Sequence, residues 1–179
     1  MQKPRSSVID GERIYLRELR PDDVTEAYCR WMNDPHITQY TDSRNMNFSI
    51  DSLREYVKEK YESKTELFLA IIEREDNCHI GNIKLGPINL QDQNADIGII
   101  IGEKQFWAKG YATEAIGLLK NHAFFVIGLH KLTAGSLGMN TGSIKAFQNN
   151  GFKIEGIRKE HVFFKGSFID TILLGLINE

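Results

Sequence analysis

Residues 106–113, "FWAKGYAT", place two alanines, a glycine and a lysine between a strongly apolar run and an amphipathic stretch. Small residues in a turn leave main-chain N–H groups open to close approach. Where a helix starts just beyond, its first amides lack an intrahelical acceptor and carry partial positive charge. The chemistry that suits such a turn is the binding of a phosphate or pyrophosphate. Gly110 can take a left-handed conformation, Ala112 keeps the approach clear, and Lys104 and Lys109 add charge at the rim. The same residues also suit an ordinary strand-to-helix turn that contains a glycine. The loop alone leaves both readings open.

Other chemistry-bearing motifs are missing. A P-loop needs GxxxxGK[ST], whereas Gly110 is followed by Tyr111, and "GSLGMNTG" does not supply GxGxxG after a strand. There is no HExxH and no paired cysteine motif, and His36, His79, His122, His130 and His161 show no ligand spacing. No metal is therefore expected. Cys29 and Cys78 stand far apart and are expected to be reduced.

The elements that must position the loop follow from periodicity. Glu12 to Leu19 reads as a first strand, with Ile14 and Leu16 on one face. "RPDD" ends it, and Asp22 is expected to cap a helix running to about Met32. Ser49 is expected to cap a second helix to about Lys60. "ELFLAIIE", "HIGNIKLGPINL" and "ADIGIIIG" read as three strands, the last apolar on both faces and so central. A helix from about Thr113 to Ile127 would bury Ala115, Leu118, Leu119, Ala123 and Val126. "HKLTAGSL" is a strand, "NTGSIKAFQNNG" a capped helix closed by Gly151, and "FKIEGIRKEHVFF" and "FIDTILLGLI" two final strands. The order predicts an α/β (α+β) fold with a mixed sheet and helices on its faces.

Composition bounds the partners. The 179 residues are 41% hydrophobic and 26% charged, which suits one domain, 1–179, with a substantial core. A net charge of -2 and no Lys/Arg run longer than two argue against a nucleic-acid reader. No stretch approaches the roughly 18 apolar residues of a membrane span. "MQKPRSSVIDGERIYL" lacks the apolar core of a signal peptide, so the cytoplasm is the expected address.

With the elements placed, "ADIGIIIGEKQFWAKGYATEAIGLL" followed by "NTGSIKAFQNNGF" resembles the GNAT acetyltransferases, in particular their RimJ/RimL-like branch. The opening "ERIYLRELRPDD" and "WMNDPHITQY" also look like that branch, so the similarity spans nearly the whole chain. The resemblance implies a mostly antiparallel sheet splayed at the acetyl-CoA site, acetyl-CoA as co-substrate, a primary amine as acceptor and no metal. It implies pyrophosphate contacts from Trp107, Ala108, Lys109, Gly110, Tyr111, Ala112 and Thr113. Trp107 stands where the broad family pattern has Gln or Arg. The pantetheine arm would pair with Ile99, Ile100 and Ile101 and touch Asn140, Ser143 and Phe147.

Acetyl transfer by direct attack passes through a tetrahedral intermediate. It needs a neutral amine, an N–H for the oxyanion and a proton for the thiolate. Asp96 matches a family position proposed as the base, and also suits a solvated carboxylate at a strand start. Gly98 marks either a bulge or a packing glycine. Ser143 matches a proposed acid, and also suits a first-turn helix serine. Phe147 stands where many members carry an acid tyrosine, which leaves Ser143, Tyr111 or water for that task. Asn33, Tyr40 and Arg44 are the expected acceptor contacts. Three functions follow: a small-amine N-acetyltransferase with a nucleotide-linked amino sugar as acceptor; a ribosomal-protein or other N-terminal acetyltransferase; and a catalytically silent acyl-CoA-binding module. A monomer or homodimer is expected.

Overall fold

The computed structural model describes residues 8–179, so the first seven residues of the leader reading lie outside the described residues. Within these residues eight strands form one sheet: β1 (Ile9–Asp10), β2 (Ile14–Glu18), β3 (Leu67–Glu73), β4 (Cys78–Leu85), β5 (Asn94–Ile101), β6 (Lys131–Leu137), β7 (Lys153–Phe164) and β8 (Ser167–Ile177). Their order is β1-β2-β3-β4-β5-β6-β8-β7. Every pairing is antiparallel except β5 with β6. The expected mixed sheet is present. Its first strand is shorter than Glu12–Leu19, because Gly11 folds back to donate to the Ile14 carbonyl and β1 pairs there instead.

Among the described residues five α-helices cover the faces: α1 (Glu26–Asn33), α2 (Pro35–Thr38), α3 (Ile50–Glu62), α4 (Tyr111–Asn121) and α5 (Thr141–Gln148). Pro21–Asp23 forms a tight turn of its own, so Asp22 caps nothing. The α1 cap is Thr25, whose hydroxyl accepts from the Tyr28 amide. Ser49 caps α3 as expected. The long helix begins at Tyr111, two residues earlier than its pattern suggests, and widens into a π-type turn over His122–Ile127. That widening rotates the last turn, so Val126 is exposed while Ala115, Leu119 and Ala123 stay buried.

The sheet has a core on each side. Ile14, Leu16, Leu69, Ile71, Ile83, Ile97, Leu132 and Leu174 pack against Ala115, Ile116 and Leu119 of α4 and Phe147 of α5. Leu19, Phe68, Ala70 and Ile72 pack against Tyr28 and Trp31 of α1 and Leu53 and Val57 of α3. Each fully buried leucine or isoleucine contributes about 2 kcal/mol. β5 is central in the sheet as expected, but only its odd-numbered face packs under a helix, because Asp96 and Gly98 leave the opposite face exposed.

Candidate active site

β5 and β6 pair only over Asn94–Lys131, Ala95–Leu132 and Asp96–Thr133. Beyond Asp96 the two parallel strands diverge, and the facing edge of β5 has no strand partner. The Gly86 amide donates to the Asp96 carbonyl, and the Gly102 amide donates to the Ile80 carbonyl, both toward β4. Backbone polarity alternates along a strand, so Ile97, Ile99 and Ile101 turn their N–H and C=O groups into the gap. Ile100, expected among the cofactor contacts, is opposite Asn82 and directs its amide to β4 instead. Trp107 closes the far end of the gap by donating its indole N–H to the Ile101 carbonyl at 2.8 Å.

The turn after β5 has the backbone of an anion site. Ala108 and Gly110 both take left-handed conformations, with φ of 57° and 83°. Successive turns of this kind make amide-lined concavities. Gly110 caps α4 without any side-chain acceptor. The other four α-helices are capped by Thr25, Asp34, Ser49 and Asn140, each accepting a first-turn amide. Among the described residues, the one α-helix start without a side-chain cap lies at the mouth of the gap, which fits a ligand diphosphate there. Lys109 remains free for its charge. Lys104 does not: its ammonium lies 2.6 Å from Asp34 and, through that bond, holds the Asp34 carboxyl below its usual range.

A buttress beneath this turn is not apparent from local sequence. Glu114 accepts from the Arg13 amide at 2.8 Å, from Arg13 Nε at 2.9 Å and from the Ile14 amide at 3.3 Å. Arg13 Nη1 donates to the Lys109 carbonyl at 2.8 Å, and its guanidinium lies 4.5 Å from the Tyr111 ring centroid. Tyr111 packs edge-on against Phe106. Its ring thus serves the loop's packing. Replacing Glu114 by alanine strands two main-chain amides and one guanidinium. It should lower unfolding free energy by about 2 kcal/mol, read by urea denaturation. An unchanged midpoint would show that the buttress is only a surface contact.

The two faces of the gap differ. Odd residues of β5 pack with the α4 core, whereas Asp96, Gly98 and Ile100 face the side of α1 and α3. On that second side Gly98 of β5 and Gly135 of β6 both look into open space: an added Cβ at either meets no atom within 4 Å. The register through Gly98 is regular, so it marks no bulge. Asp96 is exposed there and accepts a hydrogen bond from the Thr133 hydroxyl across the last paired rung.

α5 starts beside the same gap, after β6. Asn140 Oδ1 accepts from the Ser143 amide at 3.2 Å, which occupies the oxygen and leaves the amide nitrogen of Asn140 available. Asn150 ties α5 to α4 by donating to the Thr113 and Ala146 carbonyls, both at 2.9 Å. Phe147, expected to touch the cofactor, is only 2% exposed and packs edge-on against Phe152. A ring enclosed in the core offers no surface to a ligand.

An arch crosses the α1 side of the gap. At one end Trp31 of α1 lies against Gly102, where an added Cβ would come within 2.0 Å of the indole, and donates to Glu103 at 2.9 Å. At the other end Tyr40 stacks on Phe164, and Lys165 donates to Gln39 at 3.3 Å. Asn33, expected to contact the acceptor, staples this arch instead. It donates to the Phe48 carbonyl and accepts from the Phe48 amide, each at 2.8 Å. Arg44 donates to the Thr41 carbonyl at 3.0 Å and keeps its other N–H groups free. Cys29 and Cys78 are unpaired, and among the described residues no cluster could hold a metal ion. No helix among them is long and apolar enough to cross a membrane.

The family model for the acetyltransferase (GNAT) domain matches residues 13–153. The uncharacterized N-acetyltransferase p20 of Bacillus licheniformis is 27% identical over 169 residues, 93% of each chain. Spermidine N-acetyltransferase from Vibrio cholerae, solved with CoA and spermine, superposes with a TM-score of 0.83 at 22% identity, covering 93% of this chain and 96% of that one. RimJ of Mycobacterium smegmatis, solved with CoA-disulfide, gives 0.81 at 21% identity, covering 92% and 81%. A gapped sheet, an uncapped helix at the gap's mouth and a family match over most of the length converge: the chain belongs to the GNAT family of N-acetyltransferases, which use acetyl-CoA as co-substrate.

Proposed function

We propose that the chain, acting as one domain of the RimJ/RimL-like branch, acetylates the primary amine of a small acceptor, with a nucleotide-linked amino sugar as the acceptor class. The observation that carries this reading is the two-sided gap between β5 and β6. Uncapped amides stand at the α4 end, and a glycine floor lies open on the α1 side. Acetyl-CoA supplies the activated thioester. The pyrophosphate rests on the amides from Ala108 to Thr113, Trp107 being excluded because its amide donates to the Lys104 carbonyl, and the pantetheine arm pairs with the β5 edge at Ile99 and at the Ile101 amide.

The protein's own groups then have separate tasks. An alkyl ammonium has a pKa of about 10 and must lose a proton before attack. Asp96, oriented by Thr133, faces the acceptor side and takes that proton directly or through water. The amine attacks the thioester carbonyl, and the oxyanion of the tetrahedral intermediate is met by a gap-facing amide at Ile99 or Ile101. Ser143, in the first turn of α5, returns a proton to the departing thiolate.

Ser143→Ala should reduce kcat by about tenfold or more, with the KM for acetyl-CoA unchanged in a free-thiol assay. Equal losses in both would make Ser143 a structural helix serine. Parallel assays with an amino-sugar nucleotide and with N-terminal peptides test the acceptor class, and faster turnover of peptides would overturn it.

A further inference from the structure

Between the arch and the tip of the β7–β8 hairpin lies a cavity of about 190 Å³, lined by residues of 35–45 and 163–165. It sits beside the gap. β6 ends at Leu137, opposite Thr171, so the hairpin tip overhangs the end at which β5 and β6 part. The arch reaches it from the end of β5, held there by Trp31 on Gly102. An acceptor whose amine lies over Gly98 and Gly135 therefore extends its remainder toward this cavity.

The lining charge has one sign. Arg44 and Lys165 supply it, with His36, Phe163 and Phe164 as the ring-bearing wall, and no carboxylate lines it. Nearby cations are neutralised: Lys104 by Asp34 and Lys159 by Asp170. Arg44 and Lys165 have only neutral partners: the Thr41 carbonyl for the first, the Gln39 side chain and the Phe164 ring for the second. The volume is below the roughly 300 Å³ of a whole small-molecule site. It suits a single ionised group.

We infer that this cavity is an anion subsite for the acceptor, so that the preferred substrates are amines bearing a phosphate or carboxylate rather than polyamines. The inference rests on the acetyltransferase reading of the gap. Arg44 presents the planar fork that pairs with either anion, and Lys165 adds a point charge on an exposed turn. A polycation would meet like charge at this place and lose binding there.

Two matched pairs test the inference: glucosamine with glucosamine 6-phosphate, and 1,4-diaminobutane with ornithine. Each pair differs by one anionic group. The anionic member should have kcat/KM about tenfold higher or more. An advantage confined to the first pair identifies phosphate as the recognised group, and one confined to the second identifies carboxylate. The double substitution Arg44→Gln with Lys165→Gln should reduce the advantage to about threefold or less. General damage to the fold would slow both members and leave that ratio intact. Lys165→Glu should shift preference toward spermidine. Equal rates within both pairs, an unchanged ratio in the double variant, or spermidine as the best wild-type acceptor would overturn the inference. If no amine releases thiol, the transferase reading falls separately. The cavity is then judged by NMR shifts of residues 163–166 with glucosamine 6-phosphate or ornithine. Shifts with either that vanish in the double variant support it, and their absence with both overturns it.

Discussion

Gly110→Glu should weaken CoA binding by about 100-fold or more, measured by calorimetry. Three effects need separating. Gly110 sits at φ 83°, ψ 2°, where an ordinary side chain costs about 1–2 kcal/mol. Its added Cβ would lie 3.4 Å from Arg13 Nη2, an ordinary contact, so collision is minor. The third effect is a carboxylate placed at the uncapped helix end, where it occupies the space and supplies the charge that the diphosphate would. Gly110→Asn separates strain from occupation, because asparagine tolerates left-handed backbone and carries no charge. It should retain affinity within about tenfold. If glutamate and asparagine behave alike, the turn does not hold the diphosphate.

Gly135→Val is expected to dissociate stability from turnover. An added Cβ meets no atom within 4 Å, and the position lies in a strand paired with β8 at Leu173. Valine suits a strand better than glycine by up to about 1 kcal/mol, so the melting temperature should hold or rise. The side chain would stand on the open glycine floor proposed for the acceptor. Since misplacement of about 1 Å costs about 100-fold in rate, kcat/KM for the amine should fall by at least that much. CoA affinity should be kept, because the substitution faces away from α4. A stable variant with normal turnover would place the acceptor's path elsewhere.

The two glycines differ in how much the sequence discloses. Gly110 was legible because small residues between an apolar strand and an amphipathic stretch have few uses, and its left-handed backbone is as expected. Gly135 was not legible, because its significance depends on the parting of β5 and β6 after Asp96. No local pattern encodes that separation. The strands from Leu67 to Ile101 were readable for the same reason as the loop: continuous apolar runs divided by turn residues.

Misreadings arose where tertiary partners override local preference. Asp22 resembles a cap, yet Pro21 sets up a separate turn that hands the role to Thr25. Val126 continues a helical stripe that the π-type turn rotates into solvent. Asn33 looks free for a ligand, but Phe48 takes both ends of its amide. Arg13 and Glu114 lie 101 residues apart, so neither announces the other. Ile100 fails by parity alone: one residue along a strand reverses the direction of its amide.

The central claim is that gap-facing amides of β5 and the first amides of α4 hold CoA. Its most direct test is a titration of ¹⁵N-labelled protein with CoA. The largest amide shifts should fall at Ile99, Ile101, Gly110, Tyr111 and Ala112, with Ile100 shifting less than its two neighbours. Shifts centred on other elements, or none at saturating CoA, would contradict the account.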